Sequence, residues 1–219
     1  MPAADQALSS AEIHRRLTAI GVAVSKDQSA ALAAFVALLL RWNKVYNLTG
    51  VRGADEIVDR HLVESFALRS LLKGSRVADV GSGGGLPGLP LAIAEPERRF
   101  TLIESRAKRV RFLRHVVAEL GLTNTEVAHA RAEDLRVEQP FATVLARAVA
   151  PPAELLTICR HLTAPGSLLL LLTASHLQDA YRGLAPDFLM RPAVAGGLKL
   201  RSSIVVLERV NADGVDAAG

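Results

Sequence analysis

Apolar positions along this 219-residue chain keep two rhythms. Up to about Lys73 they fall at helical spacing, with no strand-like run among them. From Arg76 onward, short and nearly continuous apolar runs alternate with further helical stretches. The first part predicts helices over 10–24 and 28–46, separated by Gly21 and by Ser25–Gln28, a capping-box pattern, and a third helix over Ala54–Leu72. The second part predicts strands at Arg76–Val80, Arg99–Ile103, Thr125–His129, Phe141–Ala146, Ser167–Leu172 and Ile204–Glu208. Helices are expected between them at Leu86–Ala94, Arg106–Leu120 (closed by Gly121), Pro151–His161 and Leu177–Leu184. Val110, Leu113, Val117 and Leu120 define the expected buried stripe of the second of these. Strands alternating with helices over short connections imply an α/β fold, a largely parallel sheet with helices on both faces. The domain reading is a helical extension over 1–73, an α/β unit over 74–210 and a frayed tail over 211–219.

The most informative break in the pattern is Val77–Gly88, V-A-D-V-G-S-G-G-G-L-P-G. Glycines at a strand-to-helix junction permit a sharp turn and leave the backbone open to a ligand, while the helix offers free N–H groups. Two occupants compete. A dinucleotide loop, G-x-G-x-x-G, is met only by sliding the motif to Gly83-x-Gly85-x-x-Gly88, into the helix. The D-x-G-x-G-x-G loop of S-adenosylmethionine-dependent methyltransferases fits Asp79–Gly85 without a shift. A carboxylate at Asp79 favours a ligand with an ammonium and a sulfonium, and disfavours a pyrophosphate. The loop favours the methyltransferase reading over NAD and over a merely structural turn.

Ligands in such sheets lie outside the carboxyl ends of the strands, so the residues there are the candidates. Glu104 follows the second strand, where a carboxylate can accept both hydroxyls of a ribose. Ala132 and Glu133 follow the third, near an expected adenine, and Arg147 follows the fourth. No Asn/Asp-Pro-Pro-aromatic box follows the fourth strand, which argues against methylation of an exocyclic amine. No cysteine follows it either, which argues against covalent attack on a pyrimidine. An acceptor needing neither general base nor nucleophile fits best, and guanine N7 is such an atom.

Composition narrows the setting. The single cysteine, Cys159, excludes an internal disulfide and a cysteine-based metal cage, and no metal site is expected. The opening residues carry no signal-peptide pattern, and the longest apolar run, Ala30–Leu40, is too short to span a bilayer, so a cytoplasmic protein without a membrane partner is expected. Lys and Arg exceed Asp and Glu by 26 to 22, a modest excess compatible with a polyanion. Five cations and a histidine cluster within Ser105–His115, where Arg106, Arg109 and Lys108 are expected to face water.

Trp42–Thr49 (W-N-K-V-Y-N-L-T), Arg60-His61-Leu62-x-Glu64-Ser65, Asp79–Gly88, Lys108–Leu113 and Arg147-Ala148 resemble, in register, the ribosomal RNA small subunit methyltransferase G family, also called glucose-inhibited division protein B. The resemblance implies a Rossmann-like class I S-adenosylmethionine-dependent fold. It also implies methylation of guanine N7 in the decoding region of 16S ribosomal RNA, with 16S RNA or the small ribosomal subunit as partner and a monomeric enzyme. It implies cofactor contacts at Gly81, Leu86, Ala132, Glu133 and Arg147. With the residues reached from the strand ends and the loop, the expected cofactor set is Asp79, Gly81, Gly83, Gly85, Leu86, Glu104, Ala132, Glu133 and Arg147. Lys44, Asn47, Arg60 and His61 become candidates for polar contacts to RNA or the cofactor pocket, while Trp42, Tyr46 and Leu48 read as packing. The chain departs from the family late: Thr173-Ala174 stands where a lysine-glycine pair is usual, and Ser202-Ser203 where a basic-polar pair is usual. Methylation of another acceptor, or a cofactor-binding assembly factor with weak catalysis, remain the alternatives.

Overall fold

The computed structural model describes residues 8–50, 53–147, 149–193 and 198–211. Helix α1 (Ser10–Ala19) begins where Ser9 Oγ accepts from the Glu12 N–H, and ends earlier than the expected residue 24. Gly21, at φ +82°, turns the chain so that the Val22 N–H reaches back to the Leu17 carbonyl, a turn that closes a helix. The expected capping box is present: Ser25 Oγ accepts from the Gln28 N–H at 3.0 Å and Gln28 Oε1 accepts from the Ser25 N–H at 2.9 Å, starting α2 (Lys26–Tyr46).

The third expected helix is not one regular element. It runs as α3 (Ala54–Glu56), a π-helical turn (Ile57–Leu62), α4 (Val63–Ala67) and a 3-10 turn (Arg69–Leu71). Widened turns of this kind recur at functional sites, and this one carries Arg60 and His61.

Seven strands follow: β1 (Arg76–Val80), β2 (Arg99–Glu104), β3 (Thr125–His129), β4 (Thr143–Arg147), β5 (Leu168–Thr173), β6 (Phe188–Arg191) and β7 (Ser203–Arg209). Their order is β3-β2-β1-β4-β5-β7-β6. The first five run parallel, and β7 pairs antiparallel to both β5 and β6. Strand β6 is absent from the sequence reading, since Phe-Leu-Met-Arg is short and lacks alternation. The expected helix Leu177–Leu184 is instead two 3-10 turns, Ser175–Leu177 and Asp179–Tyr181. Gly183, at φ +64°, ends that region before a helix can lengthen.

Helices α5 (Gly88–Ala94), α6 (Ala107–Glu119) and α7 (Pro152–Arg160) connect the strands. The leucine run of β5 divides between two faces: Leu169 and Leu171 join the cluster under α7, and Leu170 and Leu172 join the one holding Leu68 and Leu91. Helices α1, α2, α5 and α6 share a third cluster, with Phe35, Leu39, Leu89 and Phe112 at its heart. On α6 the fully buried positions are Val110, Phe112, Leu113 and Val116, so the stripe is turned from the expected one; Val117 and Leu120 are only partly buried. The aromatic Phe112, packed against Trp42, draws that face inward. No helix among the described residues is long and apolar enough to cross a membrane. Of the expected tail, residues 212–219 lie outside the described ones, as does Ala148.

Candidate functional site

The carboxyl ends of β1, β2, β4 and β5 open onto a cavity of about 850 Å³. It sits where strand order reverses between β1 and β4, the place that topology reserves for ligands. Of the nine expected cofactor residues, Gly81, Gly83, Leu86, Glu104, Ala132, Glu133 and Arg147 line it, and Asp79 and Gly85 do not.

Gly85 and Asp79 shape the loop from behind. Gly85 has φ +80°, and a Cβ there would fall 2.2 Å from Leu89 Cδ1, so the turn rests on α5 with no room for a side chain. Asp79 is buried, and its Oδ2 accepts from the Gly88 N–H at 3.1 Å, at the start of α5. Burial pushes the Asp79 carboxyl up to about 7, against the pull of that N–H and of Arg147. Expected at the cationic end of a ligand, Asp79 instead fastens the loop to its helix.

Glu104 is buried at the end of β2. Its Oε2 accepts from the Gly83 N–H at 3.0 Å and its Oε1 from the Arg106 N–H at 2.8 Å, with the Arg109 guanidinium 3.6 Å away. Each carboxylate oxygen accepts more than one hydrogen bond, so this side chain can hold the loop and still receive two hydroxyls. Arg109, expected to face water, is half-buried and lines the cavity, as does Arg106. Basic spacing alone could not separate them from Lys108 and Arg111, which are exposed.

At the β4 side lies a cluster of charge that the sequence indicated only in part. Arg147 Nη1 meets His61 Nδ1, and Glu64 Oε2 lies 3.6 Å from the same nitrogen. Burial, reinforced by Arg147, holds His61 below the usual histidine range despite Glu64, so the ring is neutral near pH 7. A neutral ring accepting at Nδ1 carries its proton on Nε2. Burial opposes ionisation of Glu64, but the hydrogen bond from Ser202 and the charge of Arg60 help hold the carboxyl below its ordinary value. Burial and Arg60 also lower Arg147, and Asp79 and Glu64 only partly oppose this. Glu64, present in the sequence analysis only as part of the Arg60–Ser65 motif, is the residue to which sequence reasoning gave no role. Its signal is a lone carboxylate inside the apolar stretch Leu62–Leu68.

Lys44 and Asn47 do not line the cavity, whereas Leu48, Thr49 and Gly50 do. Trp42 packs on Phe112 and His115, with ring centroids 5.6 Å apart in each case, and Leu48 is buried, consistent with packing roles. Tyr46 is partly exposed beneath the Lys108 ammonium. Thr173 and Ala174 line the cavity together with Arg201, so a cation is still present at the end where the usual lysine is missing.

Residues 28–195 match the GidB family, described as rRNA small subunit methyltransferase G. A protein named Ribosomal RNA small subunit methyltransferase G from Ectopseudomonas mendocina is 44% identical over 171 residues, covering 77% of this chain and 80% of that one. Its namesake from Idiomarina loihiensis is 40% identical over 195 residues, covering 89% and 88%. Among solved structures, a methyltransferase from Geobacter sulfurreducens superposes with a TM-score of 0.56 at 16% identity, covering 94% of this chain and 98% of that one. A mutant MtNAS in complex with S-adenosylmethionine gives 0.51 at 14%, covering 95% and 86%. Both share the fold.

Proposed function

The chain belongs to the rRNA small subunit methyltransferase G family, and on that premise we propose that it methylates N7 of a guanine in the decoding region of 16S ribosomal RNA, using S-adenosyl-L-methionine. The observation that carries this reading is the single cavity lined at once by the glycine loop, the buried Glu104 carboxylate and Arg147.

The lining residues suit that cofactor. Glu104, already oriented by two backbone amides, receives the ribose hydroxyls. Ala132 and Glu133 bound the adenine region, and Gly81, Gly83 and Leu86 the methionine part. Asp79 and Gly85 support the loop. Bound there, S-adenosylmethionine supplies a methyl group on a positively charged sulfur.

The remaining work of the chain is alignment. Guanine N7 carries a free lone pair, so no side chain has to remove a proton before attack. The neutral His61, its Nδ1 engaged by Arg147, does not act as a general base. Arg147 and Arg201 make the β4 and β5 side of the cavity electropositive, which favours an RNA strand beside it. The reading includes a helical extension over 1–73 on a Rossmann-like unit over 74–210, a cytoplasmic location, a monomeric enzyme and the small subunit or its RNA as partner.

The deciding experiment offers purified protein and labelled cofactor to small subunits lacking the mark, then maps N7-methylguanine by chemical cleavage. Transfer to one guanine in the decoding region supports the reading. Transfer to another acceptor, or cofactor binding with no transfer to any RNA, overturns it.

A further inference from the structure

Three buried polar atoms on one short segment have no hydrogen-bond partner: Arg60 Nε, His61 Nε2 and Glu64 Oε2. All three residues line the large cavity. Buried polar groups are nearly always satisfied, and an orphaned carboxylate oxygen is costly. Its companion oxygen, Oε1, is fixed by two donors of Ser202, the N–H at 3.2 Å and the hydroxyl at 2.9 Å. Glu64 is thus held by one oxygen, while Oε2 has only His61 Nδ1 beside it, at 3.6 Å and without a hydrogen bond.

We infer that Glu64, with Arg60 and His61, reads the acceptor base, its free Oε2 accepting from N1–H and the N2 amine of guanine while the neighbouring N–H groups donate to O6. This rests on the function proposed above and adds the residues that choose the base.

The place fits the role. Glu104 and Ala132 follow β2 and β3, on one side of β1 in the sheet order. Arg147 ends β4 on the other side, and Ser202 immediately precedes β7, which pairs with β5. Glu64 is tied to Ser202, so the leftover atoms belong to the half of the cavity away from the expected nucleoside.

The chemistry fits one base. An enzyme acting on a base extracts it from its stack and reads the Watson–Crick edge. Guanine presents there two adjacent donors, N1–H and the N2 amine, beside the O6 acceptor. The orphaned set is complementary, one carboxylate acceptor beside two N–H donors. Adenine reverses the pattern, with an acceptor at N1 and a donor at N6, and would set its N1 lone pair against the carboxylate.

The critical variant is Glu64→Gln. Because Ser202 offers an N–H to Oε1, the glutamine carbonyl takes that side and its NH₂ replaces the free acceptor with a donor. The measurements are cofactor affinity by calorimetry, and kcat/KM on small subunits lacking the mark. They are repeated on subunits rebuilt with inosine, which keeps N1–H and lacks the N2 amine, at the methylated position.

Loss of one well-placed pair is expected to cost roughly ten- to a hundredfold in kcat/KM. The wild type therefore loses at least about tenfold on inosine. Glu64→Gln loses a similar factor on guanosine, with little further loss on inosine and with cofactor affinity within about twofold. Parallel loss of cofactor affinity in a folded Glu64→Gln protein would assign the carboxylate to the cofactor and overturn the inference. So would equal wild-type rates on guanosine and inosine, a comparison that stands even if the variant does not fold. A wild type silent on guanosine-bearing subunits while binding cofactor would overturn the enzymatic reading itself, and this subsite with it.

Discussion

Asp79 Oδ2 accepts a hydrogen bond from the Gly88 N–H, and a Cβ at position 88 would stand only 2.5 Å from that same oxygen. The last turn of the glycine loop is therefore fitted to a buried carboxylate, with Leu102 Cδ2 closing the remaining space at 2.6 Å. Gly88→Ala is expected to destabilise the protein by about 1–3 kcal/mol, the usual cost of overpacking a filled core. Urea unfolding of the variant measures this. A midpoint equal to the wild type would show that α5 can shift freely.

The same carboxyl gives a pH signature. Burial raises Asp79 from 3.8 to about 7 in the folded protein. A group whose folded pKa lies above its unfolded value contributes stability that is full below about 4 and is lost as pH rises to about 7. Asp79→Asn cannot titrate. The unfolding free energy of the wild type relative to this variant should therefore fall by a few kcal/mol between about pH 4 and 7, then level off. Parallel pH curves for the two proteins would refute a raised Asp79.

How much of this was legible in the sequence follows from the range of each interaction. The glycine loop, the capping box of α2 and the carboxylate after β2 are local patterns; the cap starts α2, and Gly81, Gly83 and Glu104 line the cavity. Asp79 is buried behind the loop, and whether a loop carboxylate faces cavity or core depends on Gly88 and Arg147, nine and sixty-eight residues away. Glu64 and Ser202, 138 positions apart, meet only in the folded chain. Strand β6 turns Phe188 and Met190 inward, but Phe-Leu-Met-Arg shows no alternation of polarity to announce it, and it pairs along the edge that β7 offers. The turns at 175–181 show helical propensity overridden by their tertiary setting.

Glu104 accepts from two backbone donors, Gly83 and Arg106, so an amide there must turn its NH₂ toward one of them. Glu104→Gln keeps the volume and loses a charge-assisted bond, about 1.5–3 kcal/mol. Affinity for S-adenosylmethionine should fall by roughly 10- to 150-fold, read by calorimetry, while the far-ultraviolet spectrum is unchanged. Full affinity in this variant would remove Glu104 from the cofactor site.

Helix α6 divides its cations by direction, and under the proposed function that division should separate cofactor binding from RNA binding. Arg109 turns inward, 3.6 Å from Glu104, whereas Lys108 and Arg111 are exposed. Lys108 lies 5.9 Å from the Tyr46 ring centroid, an exposed contact worth about 0.5–1 kcal/mol, so its loss is tolerable to the fold. Lys108→Glu combined with Arg111→Glu should weaken binding to the small subunit and reduce the slope of log affinity against log salt by about two, if each neutralises a phosphate. Cofactor affinity should be unchanged in that double variant, and Arg109→Ala should show the converse, weaker cofactor binding at an unaltered salt slope. A double charge reversal that leaves the salt dependence intact would move the RNA-facing surface away from α6, toward the Arg147 and Arg201 side of the cavity.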